Sequence, residues 1–374
     1  MDERTTRMAL SCVLEPATWN QLRAVTDYGA EIAWDAVLAS GGPLAKKAAQ
    51  VDLPRLGALA AAQDIRFVIP GDPQWPDSLE ALARNDPLHS LGGVPVGLWV
   101  RGGGDLARLC AQSVAIVGSR AATAYGEHVA SDLAYDLGET GVATVSGGAF
   151  GIDAAAHRGA LASKTPTVCV LAGGVDVAYP PGNAKLFEHI MEHGVVVSEL
   201  PPEEHPTRSR FLGRNRLIAA LSQGTVMVEA GVRSGARNTL TWANCLGRPT
   251  MAVPGPVTSA LSYGPHQVVR NAEAVLVCGA DEVRELLGPL GCGSRAPKPE
   301  RRPTDGLSGA ELAVYEQLPA RAARSADELA LAAGIGLGPC LAALNSLADQ
   351  GLVWQNPRRE WQLTTRKQRT AAVA

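Results

Sequence analysis

Residues 114–120, VAIVGSR, and 146–153, SGGAFGID, each interrupt an apolar run with small residues. Gly118, Ser119 and Arg120 make the first turn; Ser146, Gly147 and Gly148 make the second, with Gly151 ahead of a helix expected from about Asp153. Glycine lets a backbone come close to an anion, and a helix N-terminus adds a partial positive charge at the same place. The same glycines also suit a tight strand-to-helix turn that holds no ligand. Neither stretch is G-x-G-x-x-G or G-x-x-x-x-G-K-[ST], so dinucleotide and P-loop triphosphate binding lose their main signature.

A second concentration of chemistry lies between Pro206 and Arg248. Arg208, Arg210, Arg214, Arg216, Arg233, Arg237 and Arg248 stand there against the lone acid Glu229, in a chain whose formal net charge is −3. All are Arg and none is Lys, which suits planar, bidentate phosphate contact. Phe211 precedes Arg214, Asn215 and Arg216 at an expected helix start. An aromatic face beside a cationic groove is how unpaired nucleic-acid strands are held; a buried helix-start aromatic fits Phe211 equally well.

These groups need a scaffold. From 114 onward, short β-rich runs (VAIV at 114, VATV at 142, TVCVL at 167, VVVS at 195, TVMVE at 225, TMAV at 250, AVLV at 274) alternate with helical stretches. In 126–140, Val129, Leu133 and Leu137 recur every four residues and leave Glu127, Asp132 and Asp136 for solvent, as in an amphipathic helix. Strands apolar on both faces, joined by helix-length crossovers, predict an α/β, doubly wound, mostly parallel sheet. Ligands collect at the carboxyl ends of such strands, where both glycine turns fall.

The flanks differ in texture. Residues 1–70 read as a small helical domain, 71–287 as the sheet-containing core, and 288–306 as a Gly/Pro/charged linker. Residues 307–365 read as helix, helix, helix, hairpin, the order of a winged helix, and 366–374 as a tail. Residues 338–351 hold no Lys or Arg and carry Asp349, so the third helix lacks the cations for phosphate and points to protein contact. Arg358 and Arg359 keep a weaker DNA reading for the wing.

With 46% hydrophobic and 19% charged residues the chain is globular rather than disordered. Its Cys residues, at 12, 110, 169, 245, 278, 292 and 340, form no C-x-x-C, which supports neither a disulfide framework nor a zinc site. No signal-type segment or bilayer-length apolar run occurs, so a cytoplasmic location is expected, with no cofactor.

Taken in order, VAIVGSRAATAYG, SGGAFGIDAAAHRGAL, GGVDVAYPPGN, VSELPP, FLGRNRLIAALSQGTVMVEAGVRSGA and RPTMAVPG resemble the DNA-processing protein A family (DprA, also called Smf), across roughly residues 70–285. The resemblance implies an extended Rossmann core, a sterile-alpha-motif-like N-terminal domain and a winged-helix tail. It also implies a non-enzymatic, dimeric mediator that binds single-stranded DNA and helps load the RecA recombinase in recombination and natural transformation. By motif position it places the pocket at Ser119 and Arg120, at Ser146, Gly147 and Gly148, at Phe211, Arg214, Asn215 and Arg216, and at Ser234 and Gly235. Phe150 stands where many relatives have Arg, ARNTLTWA follows RSG with Arg237 as an added cation, and YGPHQVVRNAEA replaces a usual Gly-Thr-Asn.

Other readings compete. Glu199 and Glu229, at strand ends, could serve a nucleoside-monophosphate glycosyl hydrolase, although ion pairing with nearby arginines accounts for them as well. HIMEH at 189–193 matches a short metal motif through His189 and His193, without an evident third ligand. Asp153 and His157 suit either helix capping or support of the pocket. A protein-interaction scaffold with a vestigial pocket is a third possibility.

Overall fold

The computed structural model describes residues 1–288, 304–319 and 322–364. The chain divides into two compact units, Met1–Ser294 and Arg295–Ala374. In the first, nine strands form one sheet: β1 (Ile65–Val68), β2 (Leu98–Arg101), β3 (Ser113–Val117), β4 (Ala143–Ser146), β5 (Thr167–Val170), β6 (Val195–Ser198), β7 (Thr225–Met227), β8 (Thr250–Ala252) and β9 (Val275–Leu276). Their spatial order is β1-β2-β6-β5-β4-β3-β7-β8-β9. The run from β6 through β9 is parallel, whereas β1 and β2 are added antiparallel at one edge. The seven expected strands are all present, in the α/β doubly wound arrangement. The antiparallel extension through β2 was not foreseen from the sequence.

Alternation along β3 shows why both faces are apolar. Val114 and Ile116 pack into a core with Leu133 and Leu137 of the helix Ala124–Glu139 and with Ile152 and Ala156 of the helix Ile152–Ala162. Ala115 and Val117 point the other way, into a core with Leu217 and Leu221 of the helix Arg208–Leu221 and Leu240 of the helix Gly235–Cys245. Successive side chains of a strand face opposite sides, so one strand serves two helical layers. Because β3 has β4 on one side and β7 on the other, the winding direction reverses at β3, leaving a crevice at the carboxyl ends of β3 and β7.

The N-terminal helices Glu3–Val13, Trp19–Tyr28, Ala30–Ala39 and Pro43–Ala48 share a core that includes Leu10, Val13, Leu22 and Val25, while Leu56 and Ala60 of the helix Leu53–Ala62 pack with Ile65, Phe67 and Trp99 of β1 and β2. They seat against the helix Arg208–Leu221. A Cβ added to Gly213 would lie 3.0 Å from the Ala17 Cβ, and Arg210 reaches Glu15 at 3.1 Å. Close approach here fixes the first turn of the helix that carries Phe211 and Arg214.

The second unit contains the helices Gly309–Glu316, Ala326–Ala333 and Leu337–Asp349, followed by a hairpin of β10 (Val353–Gln355) and β11 (Trp361–Leu363). Ser308 with Glu311 and Ser325 with Glu328 close capping boxes at its first two helices, and Val314, Leu329, Leu344, Leu347 and Trp361 fill its core. Residues 289–303 of the expected linker and the expected tail 366–374 lie outside the described residues. Among the described residues no single helix is long and apolar enough to cross a membrane.

Candidate functional site

The crevice at the β3/β7 reversal has a volume of about 870 Å³. The β3 turn supplies Gly118, Ser119 and Arg120; the helix Arg208–Leu221 supplies Phe211, Arg214 and Asn215; the segment after β7 supplies Ser234 and Gly235. These expected residues are thus brought together from distant parts of the chain. The remaining four are not in the lining. Ser146 is buried and donates its hydroxyl to the Ile116 carbonyl at 2.7 Å. Gly147 and Gly148 lie behind the wall, and Arg216 is fully buried against Glu199.

The glycines answer to packing rather than to an external anion. A Cβ on Gly147 would sit 2.0 Å from the Arg214 guanidinium, one on Gly118 would sit 2.4 Å from Ile152, and one on Gly151, at φ +72°, would sit 2.3 Å from the Ser119 carbonyl. The two turns therefore press on each other and on Arg214. Their amides are partly spent inside the protein as well: Ser119 donates to the Glu229 carbonyl at 2.6 Å, and the Gly147 and Ala149 amides serve the Asp153 carboxylate. Gly118, Ser119 and Arg120 of the first turn still face the crevice, whereas Ser146, Gly147 and Gly148 of the second do not. The positive charge that faces the crevice is carried by arginine side chains.

Arg214 is the buried member of that set. It is 6% exposed, gives one N–H to the Val170 carbonyl at 2.5 Å, and leaves its Nε without a partner. Burial lowers its pKa, and burial likewise raises that of Asp153, whose charge is the chief one opposing the effect at Arg214. A buried cation with unused donors gains from an arriving anion, since leaving such a donor unmet costs about 1–3 kcal/mol or more. Around it, Arg120, Arg208 and Arg233 line the crevice, are exposed, and form no ion pair among the described residues. Phe211 lies between cations, with the Arg120 guanidinium 4.8 Å and the Arg214 guanidinium 5.8 Å from its ring centre, and Tyr179 at 5.6 Å.

Arg208, Arg233 and Tyr179 were not singled out from the sequence as lining residues. Arg208 stands three residues before Phe211 on one helix face, and Arg233 directly precedes Ser234, so the spacing held a usable signal. The other arginines of the cluster have internal duties. Arg210 pairs with Glu15 and with Glu204 at 2.6 Å, Arg237 pairs with Glu273 at 3.0 Å, and Arg248 donates to the carbonyls of Ala219 and Ser222 near a helix end and to Ser78.

Neither carboxylate of the hydrolase reading lines the crevice. Glu199 is held by Arg216; Glu229 accepts from the Thr123 amide at 2.9 Å and hydroxyl at 2.7 Å, at the start of the helix Ala124–Glu139, and not from an arginine. Among the described residues no three His, Cys, Asp or Glu side chains are placed to share a metal ion, so His189 and His193 gain no third ligand. Asp153 does line the crevice and supports both the second turn and Arg214.

His157 is fully buried one helical turn below Asp153. Thr167 donates its hydroxyl to the Thr144 carbonyl at 2.7 Å, so His157 Nδ1 carries the proton donated to Thr167 at 2.8 Å, and Nε2 is left without a partner. Burial and the Arg214 charge push the imidazole pKa down from 6.5 to about 3. Its stabilising contribution is thus complete above pH 6.5 and is lost as pH falls toward 3, about 5 kcal/mol over the window. Compared with wild type, His157→Gln should show a flatter decline of Tm across that window; an equal decline would contradict the assignment.

The sequence model of the family described as DNA recombination-mediator protein A matches residues 66–288. A putative DNA processing protein DprA of Mycobacterium tuberculosis is 48% identical over 294 residues, spanning 77% of this chain and 74% of that protein. The chain belongs to the DNA recombination-mediator protein A family. Within it, the DNA processing protein DprA of Streptococcus pneumoniae is 36% identical over 199 residues, spanning 53% of this chain and 70% of that protein. A solved structure of DprA from that organism superposes with a TM-score of 0.61 at 29% identity, covering 74% of this chain and 96% of the solved one. A Helicobacter pylori DNA processing protein A, whose structural study concerns its single-stranded DNA binding mode, aligns with a TM-score of 0.50 at 26% identity over 58% of this chain and 94% of its own.

Proposed function

We propose that this protein binds single-stranded DNA through the crevice, without strong sequence preference, and acts in recombination by protecting the strand and delivering it to a RecA-type recombinase. The observation that carries the reading is the convergence of Arg214 with the exposed Arg120, Arg208 and Arg233, which form no ion pair among the described residues, beside the Phe211 and Tyr179 rings. Guanidiniums take phosphates and aromatic faces take bases only where the bases are unstacked from a complement, so the arrangement favours an unpaired strand. Binding and handing over a strand requires no bond to be made or broken, and we read the protein as a non-enzymatic, cytoplasmic mediator that works as a homodimer.

The domain plan follows the same reading. Within the expected 1–70, the helices from Glu3 to Ala62 form a sterile-alpha-motif-like domain and β1 (Ile65–Val68) already belongs to the sheet of the extended Rossmann core, which continues through 71–287; 307–365 is a winged helix. The third helix of that last unit, Leu337–Asp349, contains no Lys or Arg, which favours protein contact over DNA. In fluorescence anisotropy, unlabelled oligothymidylate should compete for the protein far better than duplex of equal length, and affinity should fall steeply with salt. Equal competition by duplex would overturn the single-strand reading.

A further inference from the structure

A second depression, of about 500 Å³, lies beside the crevice between the helices Ile152–Ala162 and Ala184–His193. Arg158, Lys185 and His189 line it. Arg158 is the one exposed residue between Ile152 and Ala160, and Arg158, Lys185 and His189 pair with no carboxylate among the described residues.

The depression adjoins the crevice without sharing a lining residue with it. Ala149 and Tyr179 line the crevice, and their near neighbours Phe150 and Gly182 bring the wall across to the groove. Phe150 is 49% exposed, and its ring lies over Gly182, where an added Cβ would come within 3.0 Å of it. Asn183 fixes the junction by donating to the carbonyls of Gly148 at 3.0 Å and Ala149 at 3.3 Å. Phe211 and Tyr179 pack in the crevice with ring centres 5.6 Å apart, and Phe150 lies against Gly182, which lines the groove together with Arg158 and Lys185. An exposed aromatic ring costs solvation and earns its place by covering another flat face, and bare cations beside it match a phosphate chain.

We propose that Phe150 with Arg158, Lys185 and His189 forms a second, outer subsite that holds the next nucleotides of the same strand after it leaves the crevice. The assignment rests on the single-strand reading of the crevice. It predicts a footprint longer than the crevice can accommodate, with stacking on Phe150 at the junction and phosphates in the groove.

The test compares full-length protein on labelled oligothymidylates of about 4 and about 16 nucleotides, the span of site sizes typical of single-strand grooves. Wild type should bind the longer one at least tenfold more tightly, beyond the gain from extra overlapping sites, and Phe150→Ala with Arg158→Glu and Lys185→Glu should remove that gain while binding of the shorter one stays within about twofold. Phe150→Trp alone, which retains a stacking face, should keep the gain. An unchanged length dependence in the triple variant, or an equal loss on both lengths, overturns the outer subsite while the crevice reading stands. If wild type binds neither oligonucleotide, the crevice reading fails and the subsite fails with it.

Discussion

Replacing Arg120 and Arg208 together by Ala is expected to weaken binding of single-stranded DNA about 100-fold near 0.1 M salt, taking each charged contact at about 1.5 kcal/mol, or roughly tenfold. Both side chains are exposed, line the crevice and form no ion pair among the described residues, so their loss should cost little stability. Arg120 also covers the Phe211 ring at 4.8 Å, and its removal takes away one side of the stacking platform. Each lost phosphate contact should reduce the slope of log affinity against log salt by about 0.7, making the double variant shallower by about 1.4. Anisotropy titrations at several salt concentrations check both quantities. An affinity drop with an unaltered slope would mean that these cations do not meet phosphates.

Arg216→Ala is expected to destabilise the protein by about 3–5 kcal/mol, the cost of stranding a buried carboxylate. Arg216 is fully buried, its partner Glu199 is 7% exposed, and burial raises the Glu199 pKa even with the guanidinium present. Two of the Arg216 nitrogens, Nε and Nη1, lack partners, so the pair is imperfectly satisfied. Replacing both members with apolar residues, Arg216→Met with Glu199→Leu, should recover most of the loss. Urea unfolding of the two single variants and the double variant measures the coupling. Additive single losses in the double variant would show that the pair is not the source of the effect.

The contrast between these two experiments explains how much of the site could be read from the sequence. A local charge count treats Arg208, Arg210, Arg214 and Arg216 alike. Apart from Glu204, which pairs with Arg210, the partners come from far away in the chain: Glu15 for Arg210 and Glu199 for Arg216, with Glu273 playing that part for Arg237. Only tertiary structure separates the arginines available to a ligand from those used to hold the fold. The glycine turns illustrate the same limit. Missing side chains signal a close approach without saying what approaches, and at Gly147 it is Arg214 itself.

The strands were legible for the opposite reason. β3, β4, β5 and β6 are buried throughout, so each is mostly apolar, with Ser or Thr as its polar members, and stands out as a short β-branched run between helical segments. β2, with the sequence LWVR, follows a stretch rich in Gly and Pro and belongs to the antiparallel edge, outside the strand–helix alternation that marks the others. Phe211 could be assigned to stacking or to burial from the sequence; the structure leaves it half-buried, with its ring between Arg120 and Arg214.

The most direct test of the crevice is photo-crosslinking of a single strand carrying 5-iodouracil, followed by mapping of the attached peptides. The expected result is attachment at Phe211 or Tyr179, reduced in the Arg120→Ala, Arg208→Ala variant. Attachment confined to the unit containing β10 and β11, with Phe211 and Tyr179 unlabelled, would contradict the account.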